Sequence, residues 1–339
     1  MCCQEGNSQK VRARPGRSYL LLPGLLSYFL FLHGQNYRPV AYIPEGLIFA
    51  TTQPLLICDA DNNGYFEIYF STYSYPYIYY TQAYEYRNYN RYVPVDTFGL
   101  FAEFVGDLDE DSKTDLLTFL SVSGERKTCV FEPRYPENFP HTLVWKSDSN
   151  HCGSGNVSIA DFDSDGKKDF LFSFALGEVY VYENDGDNSY ALVWDTLCSD
   201  VYNFTSGDFD GDGLMEFVSG PVGGYPPVFE CCGDNQYRIV AQLPPYHSNA
   251  HDIFYGNDLD QDGRPEFLIS LCPSSGGSWA YHFLVYEAID DNTYAVSFCS
   301  DTVYRPASLS AGRGSYCGDV DCDGVDEIIW AVQDNWYIY

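Results

Sequence analysis

Basic residues are scarce in this chain of 339: 18 lysines and arginines stand against 48 aspartates and glutamates, a formal charge of -30. Such an imbalance repels nucleic-acid phosphates and anionic membrane surfaces, so neither is expected as a partner. A long apolar run is also missing. The best stretch, Tyr19 to Leu32, is broken by Pro23 and Gly24, whereas a spanning helix needs about 20 apolar residues. No C-x-x-C pair or Cys/His set has zinc-site spacing, which argues against a structural zinc. A nucleophile elbow, a His-Glu zinc helix and a glycine-rich phosphate loop are likewise lacking, so the common signatures of hydrolases, zinc peptidases and nucleotide enzymes are absent. On these grounds enzymatic activity is the weaker expectation.

What the chain does have begins with a leader. Lys10, Arg12, Arg14 and Arg17 precede the apolar run, and Gly34 offers a small residue for cleavage. Residues 1–34 are read as a signal peptide and residues 35–339 as one exported domain, a retained anchor being the alternative. With 45% hydrophobic residues, the remainder can bury an ample core. Loss of the leader removes Cys2 and Cys3 and leaves ten cysteines: Cys58, Cys129, Cys152, Cys198, Cys231, Cys232, Cys272, Cys299, Cys317 and Cys322. An even count in an exported chain suits disulfides, in a pairing the order alone does not give. Cys317 and Cys322 bracket the start of an acidic loop and are candidates to staple it.

That loop is one of six. The first has Asp59, Asp61, Asn63 and Glu67, with Gly64 at its sixth position; the second has Asp107, Asp109, Asp111 and Asp115, with Ser112 there instead. Asp161, Asp163, Asp165 and Asp169 form the third, and Asp208, Asp210, Asp212 and Glu216 the fourth. The fifth has Asp258, Asp260, Asp262 and Glu266; the sixth has Asp319, Asp321, Asp323 and Glu327.

The offsets match what calcium requires, which is six to eight oxygen ligands in forgiving geometry. Side chains at positions 1, 3 and 5 of a tight loop converge on one point, glycine at position 6 permits the turn, and the acid at position 9 closes the shell. Position 7 would offer only its carbonyl, and its identity varies accordingly: Tyr65, Lys113, Lys167, Leu214, Arg264 and Val325. All 30 of these positions are candidate ligands, for up to six calcium ions. Position 2 is small or apolar in every copy (Ala60, Leu108, Phe162, Phe209, Leu259, Val320), as expected of a loop pinned to a core. An EF-hand would instead put a glutamate at position 12 and helices on both sides. Here short β-prone runs follow, such as Phe170–Phe174 and Phe267–Leu271. Ordinary acidic turns are the plain alternative. Against it, clustered carboxylates without cations would suffer repeated like-charge contacts.

The loops recur about every 50 residues, the length of a four-stranded propeller blade. An all-β, six-bladed β-propeller is therefore expected, its ring closed by an N-terminal strand, Tyr37–Ala41, joining the last blade. The Asp-x-Asp-x-Asp-Gly-x-x-Asp/Glu loop resembles the FG-GAP or VCBS-type calcium-binding repeat, best known from the propeller heads of integrin α chains. The resemblance spans about residues 37–339 and implies loops placed between the first two strands of each blade. The family's flanking Phe-Gly and Gly-Ala-Pro elements are largely missing, with Ser219-Gly220-Pro221 as a remnant, so integrin-like partners are not implied.

Other features are less specific. Residues 65–92 hold eleven tyrosines, with Tyr73, Tyr75, Tyr77 and Tyr79 alternating. Such a stripe is read first as interblade core, and as a glycan or protein contact where it is exposed. His247 and His251 are read as polar residues of a connection rather than a second metal site. Asn156-Val-Ser158 and Asn203-Phe-Thr205 are glycosylation sequons. The chain is thus expected to be a secreted or cell-surface recognition or adhesion module for a glycan or an extracellular protein, with calcium as a structural ion. A lyase-like polysaccharide enzyme on the same scaffold and a self-assembling surface protein are the alternatives.

Overall fold

The computed structural model describes residues 56–339, apart from 75–77, 88–90, 123–124, 136–137, 149–150, 152, 154–156, 174–176, 199–200, 273, 276–277, 307–314, 320–322 and 333–334. The leader at 1–34 and the closing strand at 37–41 lie outside them.

The described residues are all-β. The first sheet is a meander of β1 (Leu56–Cys58), β2 (Glu67–Ser74), β3 (Ile78–Arg87) and β4 (Arg91–Phe98). The second repeats it with β5 (Phe104–Gly106), β6 (Asp115–Val122), β7 (Glu125–Glu132) and β8 (Thr142–Lys146). A third holds β9 (Ser158–Ala160), β10 (Asp169–Ser173), β11 (Glu178–Asn184) and β12 (Tyr190–Leu197).

The fourth sheet has ten strands. It contains the meander β13 (Val201–Gly207), β14 (Glu216–Gly224), β15 (Pro227–Gly233) and β16 (Gln236–Gln242), followed by β17 (Tyr246–Tyr255) and β18 (Phe267–Leu271). Its remaining strands are β19 (Ser274–Ser275), β20 (Ser278–Asp290), β21 (Thr293–Cys299) and β22 (Val303–Pro306). The last sheet has three strands, β23 (Tyr316–Gly318), β24 (Glu327–Val332) and β25 (Asn335–Ile338).

Among the described residues there are thus five sheets where six separate blades are expected. The physical reason lies in β14, which outruns its own meander: Val222 and Gly224 pair with Asn249 and Tyr246 of β17, fusing the fourth and fifth loops' strands into one sheet. His247 and His251 belong to that strand β17, not to a connection. Four residues along a strand span about 13 Å of backbone, so the pair lacks the one-turn spacing that lets a helix share a metal.

Burial follows the order of strands within each meander. The second strand is covered on both faces, as in β10 and β18, where every residue is buried. The fourth is largely open, as in β8, β16 and β21. Between successive meanders lie aromatic-rich clusters. Leu108, Leu117 and Val130 meet Phe170, Phe172, Tyr180, Tyr182 and Tyr190 of the next sheet. Phe162, Leu171, Val179 and Val181 likewise meet Phe204, Phe217, Phe229 and Tyr237. Face-to-face stacking of sheets with alternate apolar residues on both faces is the core of a propeller.

No disulfide joins any two described cysteines. Cys231 packs in one interblade cluster, and Cys272 with Cys317 in another. They act as small apolar side chains. Burial pushes the Cys129 and Cys198 thiols up to about 11 and that of Cys272 to about 12. Cys322 is outside the described residues, as are the side chains of Tyr73, Tyr75, Tyr77 and Tyr79. Of the other tyrosines in that segment, Tyr69 and Tyr84 are core residues, while Tyr65 is exposed.

Candidate metal centres

Each acidic loop joins the first strand of a meander to the second and folds around its own carboxylates. The residue at position 2 donates its backbone N–H to the acid at position 9. The bonds are Ala60 to Glu67 Oε2 (2.8 Å), Leu108 to Asp115 Oδ2 (2.7 Å), Phe162 to Asp169 Oδ2 (2.8 Å), Phe209 to Glu216 Oε2 (2.7 Å) and Leu259 to Glu266 Oε2 (2.7 Å). Ala60, Leu108, Phe162 and Phe209 are fully buried, so position 2 does anchor the loop to the core. The aspartate at position 1 accepts the N–H of position 6, from Gly64, Ser112, Gly166, Gly213, Gly263 and Gly324. Position 5 accepts the N–H of position 7 in all six copies.

Two residues in each of the first five loops take the left-handed backbone, and in the sixth, whose position 4 lies outside the described residues, position 6 does. Position 6 has φ from 71° at Ser112 to 98° at Gly263, and no neighbour crowds a Cβ at Gly64, Gly166, Gly213, Gly263 or Gly324. Conformation, not space, is what favours glycine there. Position 4 is also left-handed, at Asn62, Glu110, Ser164, Gly211 and Gln261.

The expected ligands converge. Carboxylate oxygens lie within 4.8 Å of one another in Asp59, Asp61 and Glu67, in Asp107, Asp109 and Asp115, in Asp161, Asp163 and Asp169, and in Asp208, Asp210, Asp212 and Glu216. In the fifth loop Asp258, Asp260 and Asp262 accept the same backbone N–H groups. Of the sixth, Asp321 is outside the described residues.

The donor set fits a hard cation on one observation. Position 9 uses one oxygen for the loop N–H, while its other oxygen, at Glu67 Oε1, Asp115 Oδ1, Asp169 Oδ1 and Glu216 Oε1, is buried with no hydrogen-bond donor. Asp107 Oδ1 is in the same condition. An ionised oxygen buried without a partner is costly, and a cation among it and its neighbours removes that cost. Protonation is the other remedy. Burial, reinforced by the loop carboxylates and opposed by the position-2 N–H, pushes Glu67, Asp169 and Glu266 up to about 7, Asp115 to about 8 and Glu216 to about 9.

A second acid, not picked out from the sequence, stands beside each of the first four loops. On the third strand of the meander, Glu85, Glu183 and Glu230 are the registered partners of Glu67, Asp169 and Glu216. Like charges so placed repel. The chain meets them with its own donors: Asn63 Nδ2 bonds Glu85 at 2.8 Å, Lys113 bridges Asp111 and Glu132, Lys167 reaches Glu183, and Arg238 holds Glu230 at 2.7 Å. A signal was available, since Val130-Phe-Glu132, Val181-Tyr-Glu183, Val228-Phe-Glu230 and Val285-Tyr-Glu287 share one pattern. Position 7 is therefore more than a carbonyl in the second and third loops, where its lysine neutralises this glutamate.

Neighbouring loops also touch. Lys168 donates to the Asp107 carbonyl at 2.7 Å, Asn257 donates to Asp326 at 2.9 Å, and Gln261 to the Gly324 carbonyl at 3.3 Å. The acidic loops thus line one rim of the stacked sheets.

The FG-GAP-like repeat family matches residues 153–219, a stretch holding the whole of the third and fourth loops. The fold is an FG-GAP-type β-propeller. Curated proteins show no sequence match to the chain. Among solved structures, an exo-β-1,3-galactanase from Phanerochaete chrysosporium, crystallised with β-1,3-galactotriose, is similar over 84% of this chain and 74% of that one. At 11% identity and a TM-score of 0.44, that likeness transfers neither activity nor ligand to this propeller.

Proposed function

We propose that the propeller is a calcium-stabilised recognition module of the cell exterior, in which the acidic loops hold structural calcium and the surface between them binds a glycan or another protein. The observation that supports the calcium is the unpaired, buried oxygen at position 9, repeated in four loops at the point where the other ligands converge. Asp, Asn and Glu oxygens in that number suit calcium, and the nearly complete protein shell leaves little room for an activated water. The ions are scaffold on this reading.

Recognition is supported by what surrounds the loops. A hollow of about 290 Å³ between β7 and β8 is lined by Arg134, Asn138, Phe139, His141 and Thr142. An aromatic face beside several hydrogen-bond donors suits a sugar ring. His141 is paired with Asp96 of β4 at 2.8 Å, so the hollow lies beside a contact between the first two sheets.

The test has two arms. Isothermal titration of the chelator-stripped chain with calcium should show binding at several sites, and magnesium should bind far more weakly, because it demands a smaller octahedral shell. Absence of calcium binding overturns the reading. A glycan array run beside a polysaccharide-cleavage assay separates recognition from catalysis, and turnover of any polysaccharide would replace the module reading with an enzyme.

A further inference from the structure

A turn in the following meander closes over three of the acidic loops, and its residues form a second repeat: Asp187-Asn188-Ser189-Tyr190, Asp234-Asn235-Gln236-Tyr237 and Asp291-Asn292-Thr293-Tyr294. Each asparagine is left-handed, with φ of 53° or 54°. Each sends its backbone N–H across the interface to the position-3 aspartate of the preceding loop: Asn188 to Asp109 at 2.6 Å, Asn235 to Asp163 and Asn292 to Asp210 at 2.7 Å. The side-chain amides donate to the third-strand glutamates Glu132, Glu183 and Glu230 of that same preceding meander. They also donate to the aspartate just before them, Asp187, Asp234 and Asp291.

Three latches built alike leave the same atoms unsatisfied. The Oδ1 of Asn188, Asn235 and Asn292 and the hydroxyls of Tyr190, Tyr237 and Tyr294 are buried with no hydrogen-bond partner. Tyr190 and Tyr237 are only 6% and 8% exposed. Their rings are well held, Tyr237 against Trp194 and Phe217, and Tyr190 against Trp145 and Phe170. Their hydroxyls lie in the field of the preceding loop: Asp115, Asp109, Glu132 and Asp107 act on Tyr190, and Asp169, Asp163 and Glu183 on Tyr237. A buried hydroxyl bonded to none of the carboxylates that act on it, in the field of an acid whose second oxygen is also unpaired, marks a gap in a polar shell.

We propose that the cation sites of the second, third and fourth loops are shared between consecutive meanders, the Asp-Asn-x-Tyr turn of one closing over a divalent cation held by the loop before it. The turn's asparagine oxygen and tyrosine hydroxyl complete the polar shell, so cation binding locks one meander to the next. This rests on the reading of the loops as cation sites.

The test uses the full chain carrying Tyr237→Phe, which removes one hydroxyl and keeps the ring, or Asn235→Gly, which keeps the left-handed turn and removes the side chain. Tyr190→Phe serves as the parallel variant at the second loop. Calcium affinity by titration calorimetry and melting temperature with calcium or chelator are read together. The expected result is one class of sites weakened about tenfold, as for a lost hydrogen bond to a charged shell, with a smaller calcium-induced rise in melting temperature. In chelator Tyr237→Phe should melt no lower than the unaltered chain, because an unpaired buried hydroxyl has been removed. Equal calcium affinities, or equal losses with and without calcium, overturn the proposal. An unaltered chain that shows no calcium-induced rise overturns instead the reading beneath it.

Discussion

Asp169 and Glu183 stand directly opposite each other across β10 and β11, two carboxylates in register with no chain atom donating to the second oxygen of Asp169. The same relationship joins Glu67 to Glu85 and Glu216 to Glu230. Such a pair needs either a proton on one carboxyl or positive charge nearby, and Lys167 supplies charge on the Glu183 side alone. Asp169→Asn should therefore leave melting in chelator unchanged or raise it, while lowering the melting temperature in calcium and removing one bound ion. Thermal denaturation in both conditions, with ion counting, checks the opposite signs.

The pH dependence follows from the position-9 acids. Their folded-state values, about 7 for Glu67, Asp169 and Glu266, about 8 for Asp115 and about 9 for Glu216, lie above the ordinary carboxylate range. A carboxyl raised on folding holds its proton better in the folded state, so its contribution is complete below the unfolded value and is lost as pH rises through the folded one. In chelator, stability should fall from about pH 4, the ordinary carboxylate value, to about pH 9, the folded value of Glu216. Calcium, which needs the ionised form, should flatten or reverse that slope. Melting curves at constant ionic strength read it directly.

Ser112 carries a left-handed backbone, φ 71°, where five other loops have glycine. Ser112→Gly should stabilise the second loop by up to about 1 kcal/mol, since a Cβ in that region costs about 1–2 kcal/mol, less the entropy glycine restores to the unfolded chain. Equilibrium denaturation in calcium is the check.

The interblade core sets a larger effect. Phe217 is fully buried and stacks on Phe229 with centroids 4.7 Å apart while meeting Trp194 edge-on. Phe217→Ala should cost about 3–5 kcal/mol, read as a drop in denaturation midpoint with or without calcium.

The loops were legible in the sequence because their chemistry is local: nine consecutive residues carry the converging acids, and turn and strand signals flank them. Their spacing gave the repeat and hence the propeller. Sheet membership was not legible, because the union of β14 with β17 depends on how far one strand runs past its own meander. Glu183 and Asn235 were missed for a related reason. They reach the third loop from 14 and 66 residues beyond its end at Asp169, so only the fold brings them to it, though each belongs to a short pattern that recurs in step with the loops. The even cysteine count pointed to disulfides, yet Cys272 and Cys317 share an apolar cluster without bonding. A count does not carry geometry.

The most direct test of the account is the melting temperature of the full chain with saturating calcium against excess chelator. Ligand bound only by the folded state adds about 2.7 kcal/mol per site at a hundredfold excess over its dissociation constant. The account predicts a large rise in calcium that chelator abolishes. A melting temperature that is the same in both would contradict it.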